Sequence, residues 1–435
     1  MTIPTDNNAL NRRQFLARSS TVAASVAISV AGSASLLMTE SAKATAQPVA
    51  QDCTPAVTEP FYGRHQGGIA TAMQLHSYFV AFDLTSDKKD DLIALLRDWS
   101  RTAAVICSAP ARFDPHANPD QAMAQNGVAV DLPASRLTVT IGLGASLFEQ
   151  NGKDRFGLAD KRPAALIELP RFAGDQLDPQ RTGGDLGIQV CADDIQVVEY
   201  AIRRMAAVAA PHAVMRWAQN GFAGNFPHGH TGRNLMGFKD GTMNIDPDDK
   251  DTMRRFVWVG EEGPAWLRDG SYMVIRPVRI SLEHWDTMKQ SFQEQTFGRQ
   301  KSSGAPLGGQ HEHDALKLDA QDANGMPLTP DNAHAAMAAP ENNDGARILR
   351  RSYSYDNGIA RIAERWPPWR QAMMFDAGLL FQCYQRDPRT GFVKLFDRMS
   401  KFDMINQFAT HIGSGLFACP PGAESGEFVG EKLFS

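Results

Sequence analysis

Two successive sets of short β-rich runs, each interleaved with amphipathic stretches, constrain this chain more than any other feature of its sequence. Residues Leu75 to Leu84 are apolar and β-rich, and Ser86 through Ala104 follows with a capping serine and leucines at helical spacing. Arg136-Leu137-Thr138-Val139-Thr140-Ile141 alternates as a strand does and is ended by Gly142-Leu143-Gly144. Gly183 to Cys191 predicts a further strand, after which Asp194 caps a helix running to about Ala210. The second half gives the order less cleanly. Strands are expected at Ala213 to Trp217 and Tyr272 to Ile280, then a helix from Glu283 to about Thr296. Arg347 to Tyr355 and Gly378 to Gln385 read as strands, and Phe392 to Ile412 as a long closing helix.

Mixed strands with helices on one side, given twice, fit a duplicated ferredoxin-like α+β architecture. The repeat lies in element order, not in residue identity. The halves are expected at 60–211 and 212–425, and Gln300 to Asn332, rich in Gly, Pro, Asp and Ala, reads as a long surface excursion.

The chain opens with Asn11-Arg12-Arg13-Gln14-Phe15-Leu16, a weakly apolar run from Ser19 to Met38, and Ala44-Thr45-Ala46. Paired arginines, a modest apolar region and a small-x-small cleavage site predict a twin-arginine export signal over 1–46 and a periplasmic destination. Such signals carry folded proteins, commonly cofactor-bearing ones. The polar, proline-bearing residues 47–59 read as a mobile arm. The whole chain carries a net charge of −5, and removal of the leader takes away more basic than acidic groups. A mildly acidic protein has no electrostatic footprint for nucleic acid or an anionic membrane. The five cysteines, at 53, 107, 191, 383 and 419, form no CxxC or CxxCH, which excludes the short zinc signatures and covalent haem attachment. Cys107, Cys191 and Cys383 sit in apolar runs as small buried residues, and an odd count in an exported chain leaves a free thiol.

Few stretches concentrate chemistry. The pairs His228/His230 and His311/His313 have the pattern of solvated loop residues, and His65 lies in a glycine-flanked loop. His334 differs, because the alanines of Asn332-Ala333-His334-Ala335-Ala336-Met337-Ala338-Ala339-Pro340 remove bulk around its ring. A short helical segment there would hold an imidazole over a flat apolar floor, although a plain alanine-rich helix fits the same residues. In Arg233-Asn234-Leu235-Met236-Gly237-Phe238-Lys239-Asp240-Gly241-Thr242, Asp240 stands between turn formers, where the backbone can turn sharply and approach a flat object. An Asp-Gly pair alone marks an ordinary turn. Alternation along Arg347 to Tyr355 puts Arg350 on a face with Ile348 and Ser352, and Arg347 and Arg351 on the other.

The ten-residue string resembles the GxxDG signature of the dye-decolourising peroxidases, haem b enzymes, in the branch exported to the periplasm and associated with iron uptake. The likeness runs from Pro60 to Gly422 and includes Gly63-Arg64-His65-Gln66-Gly67-Gly68-Ile69, Ala377 to Gln385 and Ile412 to Gly422. It implies the duplicated ferredoxin-like fold (the dimeric α+β barrel type), with one haem b per chain in the second half and a homodimeric assembly. His334, followed by Glu341-Asn342-Asn343-Asp344 and the Arg350-Arg351 strand, matches the layout around the family's proximal ligand of the haem iron. Asp240 would move the peroxide proton and Arg350 would offset the charge that develops on the leaving oxygen. Gly241, Thr242 and Met243 would lie along the haem edge, and Ala339, Pro340 and Glu341 would touch it, although this chain is alanine-rich where relatives are more polar. Asp403 would accept the second N–H of the imidazole; an exposed aspartate on the closing helix reads equally well. Ser352 stands where some relatives carry an asparagine.

The activity implied is reduction of hydrogen peroxide by organic reductants, with release of iron from haem or oxidation of ferrous iron for a permease. A haem-binding or haem-delivery protein without turnover would keep His334 but not need Asp240 beside Arg350, and a structural domain of the same architecture would bind no haem. A carboxylate with an ordinary pKa of about 3.9, against about 6.5 for histidine, predicts an acidic optimum. Seven tryptophans and seven tyrosines could relay electrons, and the sequence singles out none.

Overall fold

The computed structural model of this 435-residue chain describes residues 57–109, 111–112, 127–227, 229–363 and 371–435. The expected export signal, most of the arm, Cys53 and His228 lie outside the described residues.

The first half supplies β1 (His76–Leu84), α1 (Lys89–Ser108), β2 (Thr138–Gly144), β3 (Leu186–Ala192), α2 (Ile195–Ala209) and β4 (Ala213–Phe222). These strands are antiparallel in the order β4-β1-β3-β2, the arrangement of one ferredoxin-like unit. The second half supplies β5 (Ser271–Ile280), α3 (Leu282–Asp286), α4 (Gln290–Phe297), α5 (His334–Ala338), β6 (Leu349–Arg350), β7 (Tyr353–Ala363), β8 (Gln371–Gln385), α6 (Phe392–Phe402), β9 (Ala409–His411) and β10 (Gly415–Cys419). Here the order β7-β8-β5-β10 is the same unit again, with β9 paired beside β5 and β6 beside β8. The units join where β10 pairs with β2 and where Phe222 of β4 pairs with Ser354 of β7, so eight strands close into one ring. The closing seams are short, one residue pair between β4 and β7 and two between β10 and β2.

Alternation along each strand divides the core. On β3, Leu186, Ile188, Val190 and Ala192 face outward to α1 and α2, where Trp99 donates to the Met205 carbonyl at 2.8 Å. Cys191 faces inward with Phe79, Trp217, Met273, Ile275, Tyr353, Tyr384 and Phe417. Each fully buried large apolar side chain contributes roughly 1.5–3 kcal/mol. Gly142 makes room for this interior, because a Cβ there would meet Phe417 Cβ at 2.7 Å.

Several expected elements differ in extent. The strand expected to open the second half is β4, which pairs with β1 along its length and completes the first unit. Ser86 lies outside α1, and its hydroxyl accepts from the Lys88 amide instead of capping the helix. The helix expected over 283–296 is interrupted between α3 and α4, where Gln293 donates to the Trp285 carbonyl at 2.9 Å. The Arg347 to Tyr355 strand breaks at Arg351 and Ser352 into β6 and β7. The closing helix stops at Phe402, because the Asp403 carboxylate accepts from the Ile405 amide and starts a separate 3₁₀ turn. The four described cysteines are free and buried.

Candidate active site

Asp240 is delivered by a closed loop. Arg233 and Lys239 bridge it. Gly237 turns it at a φ of +85°, where a Cβ would also meet Lys301 Cε at 2.8 Å. Asn234 fills the loop: its Oδ1 accepts from the amides of Met236 (3.1 Å) and Phe238 (3.3 Å), and its Nδ2 reaches Asp240 Oδ2 at 3.4 Å. The Asp240 amide donates to Gly232 at 2.9 Å.

Arg350 comes from β6, where it pairs with Cys383 of β8. Its Nη1 donates to Asp240 Oδ1 at 2.5 Å, and the two side chains remain 29% and 22% exposed. Burial alone would push the Asp240 carboxyl up. The Arg350 guanidinium overrides it and holds the group below the ordinary aspartate range, with His334 and Asn234 acting in the same direction. Asn244 fixes the two segments to each other. Its Nδ2 donates to the Arg350 carbonyl at 2.7 Å and its Oδ1 accepts from the Arg350 amide at 2.8 Å, as a neighbouring strand would.

His334 begins α5. Its Nδ1 lies 2.7 Å from Asp403 Oδ2, and Asp403 is only 4% exposed, so the alternative of an exposed helix-face aspartate fails. Burial works against a charged imidazole, but the Asp403 carboxylate outweighs it and the pKa is raised. The ring, a third of it exposed, meets the edge of Phe297 with centroids 5.8 Å apart, and Phe297 in turn stacks on Phe238 at 4.0 Å, two residues before Asp240. His334 lies within electrostatic reach of both Asp240 and Arg350. With Nδ1 occupied by a carboxylate, Nε2 is the free ring nitrogen. An imidazole so oriented, flanked by the buried Ala333 and Ala336 and sharing a space with a carboxylate and a guanidinium, is a donor set that fits haem.

The other expected contacts are placed less centrally. Gly241 adopts a φ of +123°, the Thr242 hydroxyl donates to Glu312 Oε1 at 3.0 Å, and Met243 is exposed. Ala339 is buried, while Pro340 and Glu341 form a 3₁₀ turn with Glu341 exposed. Arg351 points away from Arg350 into the ring and donates to the Thr71 carbonyl at 2.6 Å and to Gln74, a structural role. The Ser352 hydroxyl is taken up by the Gln382 backbone. His65 stacks on Trp258 at 3.7 Å and is held by the Asp269 carbonyl. Among the described residues no cluster of three His, Cys, Asp or Glu could hold a bare metal ion.

Three contributors carried little signal in sequence. Asn234 sits in the motif but has no periodicity to mark it, and Asn244 follows Asp240 by four residues with nothing to show that its amide meets another segment. Glu312, between the two loop histidines, ties the 300–332 excursion to the Asp240 loop through Lys239 and Thr242.

The family profile described as "Dyp-type peroxidase, N-terminal" matches residues 66–223, and "Dyp-type peroxidase, C-terminal" matches residues 231–424. A dye-decolorizing peroxidase of Thermobifida fusca is 36% identical over 85% of this chain and 83% of its own length. The deferrochelatase of Escherichia coli K12 is 34% identical over 94% of each. Ferric DtpA from Streptomyces lividans superposes with a TM-score of 0.78 at 39% identity, covering 88% of this chain and 99% of that one.

Proposed function

This chain belongs to the Dyp-type peroxidase family and is a haem-dependent peroxidase, and we propose that it acts in the periplasm on hydrogen peroxide and small organic reductants, using Asp240, Arg350 and His334. The observation that carries the residue assignment is the ion pair of Asp240 with Arg350 within electrostatic reach of a carboxylate-held histidine.

Haem bound there would supply the iron at which the O–O bond of peroxide is cleaved. His334 Nε2 is the nitrogen offered to it, and Asp403 keeps the Nδ1 proton in place so that the ring cannot turn or change tautomer. Asp240, ionised, takes a proton from hydrogen peroxide and returns it to the departing oxygen, which leaves as water. Arg350 keeps that carboxylate ionised and lends positive charge as the leaving oxygen becomes negative. We assign one haem b per chain to the residues following β4, with Gly241, Thr242, Met243 and Ala339 to Glu341 at its edge. Export rests on the Arg12-Arg13 leader. The near full-length likeness to a deferrochelatase supports a second use of the same site, release of iron from haem; a place beside a permease in iron uptake and a homodimeric assembly are proposed with it.

The test is peroxide-dependent dye oxidation by the haem-loaded protein across about pH 3–8. Because the pKa of Asp240 is lowered, the wild-type rate should hold as pH falls through the ordinary aspartate range and drop only below it. In Arg350→Leu burial is opposed only by His334 and Asn234, so the same limb should move up in pH and the maximal rate should fall. A wild-type acid limb at or above the ordinary aspartate range, or an acid limb that stays put in the variant, would count against Asp240 as the base. An inert haem band on addition of peroxide would favour a carrier.

Asn244→Ala should lower turnover by about tenfold, because losing two hydrogen bonds of about 1 kcal/mol each frees Arg350 to shift relative to Asp240. Unchanged kcat with intact folding would show that the clamp does not position the pair.

A further inference from the structure

On the other face of the sheet from Arg350, the structure assigns a second small-molecule site, a hollow of about 330 Å³ at one end of the ring that fits an organic carboxylate. Asp376 lines it from β8; Cys383, the partner of Arg350, lies seven residues further along that strand and therefore points to the opposite face.

Arg181 and Arg279 line this hollow, and both are half-buried. Among the described residues they are the two arginines, of those buried or half-buried, whose guanidinium groups have no hydrogen bond, ion pair or aromatic partner. The others donate to carboxylates, carbonyls or a glutamine, lie over a ring, or are otherwise engaged. Two unmatched cations in one hollow would ordinarily be answered by its acids. Its acids do not pair with them: Asp178 accepts from the Gln180 amide at 2.8 Å, Asp376 from Asn357 at 3.0 Å, and among the described residues neither forms an ion pair with Arg181 or Arg279. Beneath them Tyr355 is fully buried, its hydroxyl has no partner, and Arg181, Arg279 and Asp376 are the charges acting on it. A planar carboxylate answers two guanidinium forks by paired N–H to oxygen bonds. Ile362 and Ile412 on the wall would cover an apolar body.

The experiment is calorimetric titration of the haem-loaded full chain with benzoate, and separately with inorganic phosphate, while the haem absorbance is followed. Benzoate is expected to bind with a Kd on the order of 1 mM or tighter without changing the haem band, and phosphate more weakly. Arg279→Ala and Arg181→Ala should each weaken benzoate by about tenfold or more, with dye oxidation at wild-type rate. Arg279→Lys, which keeps a charge, should lose less, and Arg347→Ala, outside the hollow, should lose nothing. The proposal is overturned if benzoate does not bind, if neither alanine variant weakens it, if its binding shifts the haem band and disappears in Asp240→Asn, or if phosphate binds as well as benzoate. Dye oxidation separates this site from the peroxidase reading, since either can fail while the other stands.

Discussion

Asp240→Asn is expected to lower peroxide-dependent turnover by roughly 10²–10⁴-fold, the usual share of a positioned general acid–base group. Asparagine has nearly the same shape, and its Oδ1 can still accept from Arg350 Nη1, so the loop closed by Asn234 and the Gly232 contact should keep its course. What disappears is a group able to hold a proton and give it back. Stability should change little, because both members of the ion pair are partly exposed and such pairs contribute about 1 kcal/mol or less. The measurement is rapid mixing with peroxide, following the haem band, alongside haem content and melting temperature. A variant within about threefold of wild type would remove Asp240 from the mechanism, whereas a slow variant that has also lost haem would report a structural fault.

The architecture was legible in sequence because both of its signals are local: strands alternate every second residue and the helices show one apolar face. That is why β1, β3, β5 and α2 fall close to their expected places. Closure of the ring was not legible, since it depends on pairings such as Phe222 with Ser354, which no local pattern encodes. Asp240 and His334 stood out by their settings, a carboxylate among turn formers and a histidine among alanines, but it was the family resemblance that chose them, and that chose Arg350 over Arg347 and Arg351 on the same expected strand. Their supports did not stand out. Asn244 acts through backbone groups 106 residues away, and Glu312 acts from an excursion whose composition suggested only solvent. Asp403 shows the intermediate case, where the partner was found but its setting was misread, because an aspartate that ends a helix and one that lies on a helix face look alike until the 3₁₀ turn is seen.

His334→Ala should yield a folded protein that does not retain haem. The helix α5 loses nothing by gaining an alanine, and the ring is a third exposed, so little packing is sacrificed. The vacated space instead leaves Asp403 buried with one oxygen still bonded to Ile405 and the other without its partner, which should show as a modest loss of thermal stability. Asp403→Asn separates the two functions of that carboxylate. An asparagine can still accept from the Nδ1 proton, so the ring should remain oriented, but it carries no charge to make the imidazole a stronger donor. Haem affinity in Asp403→Asn should therefore fall by about 10–100-fold, and not vanish. The two variants are to be compared by haem titration and by the absorbance of whatever haem is bound. Full retention by His334→Ala would assign the ligand elsewhere, and equal losses in both variants would mean that Asp403, not the imidazole, decides whether the site exists.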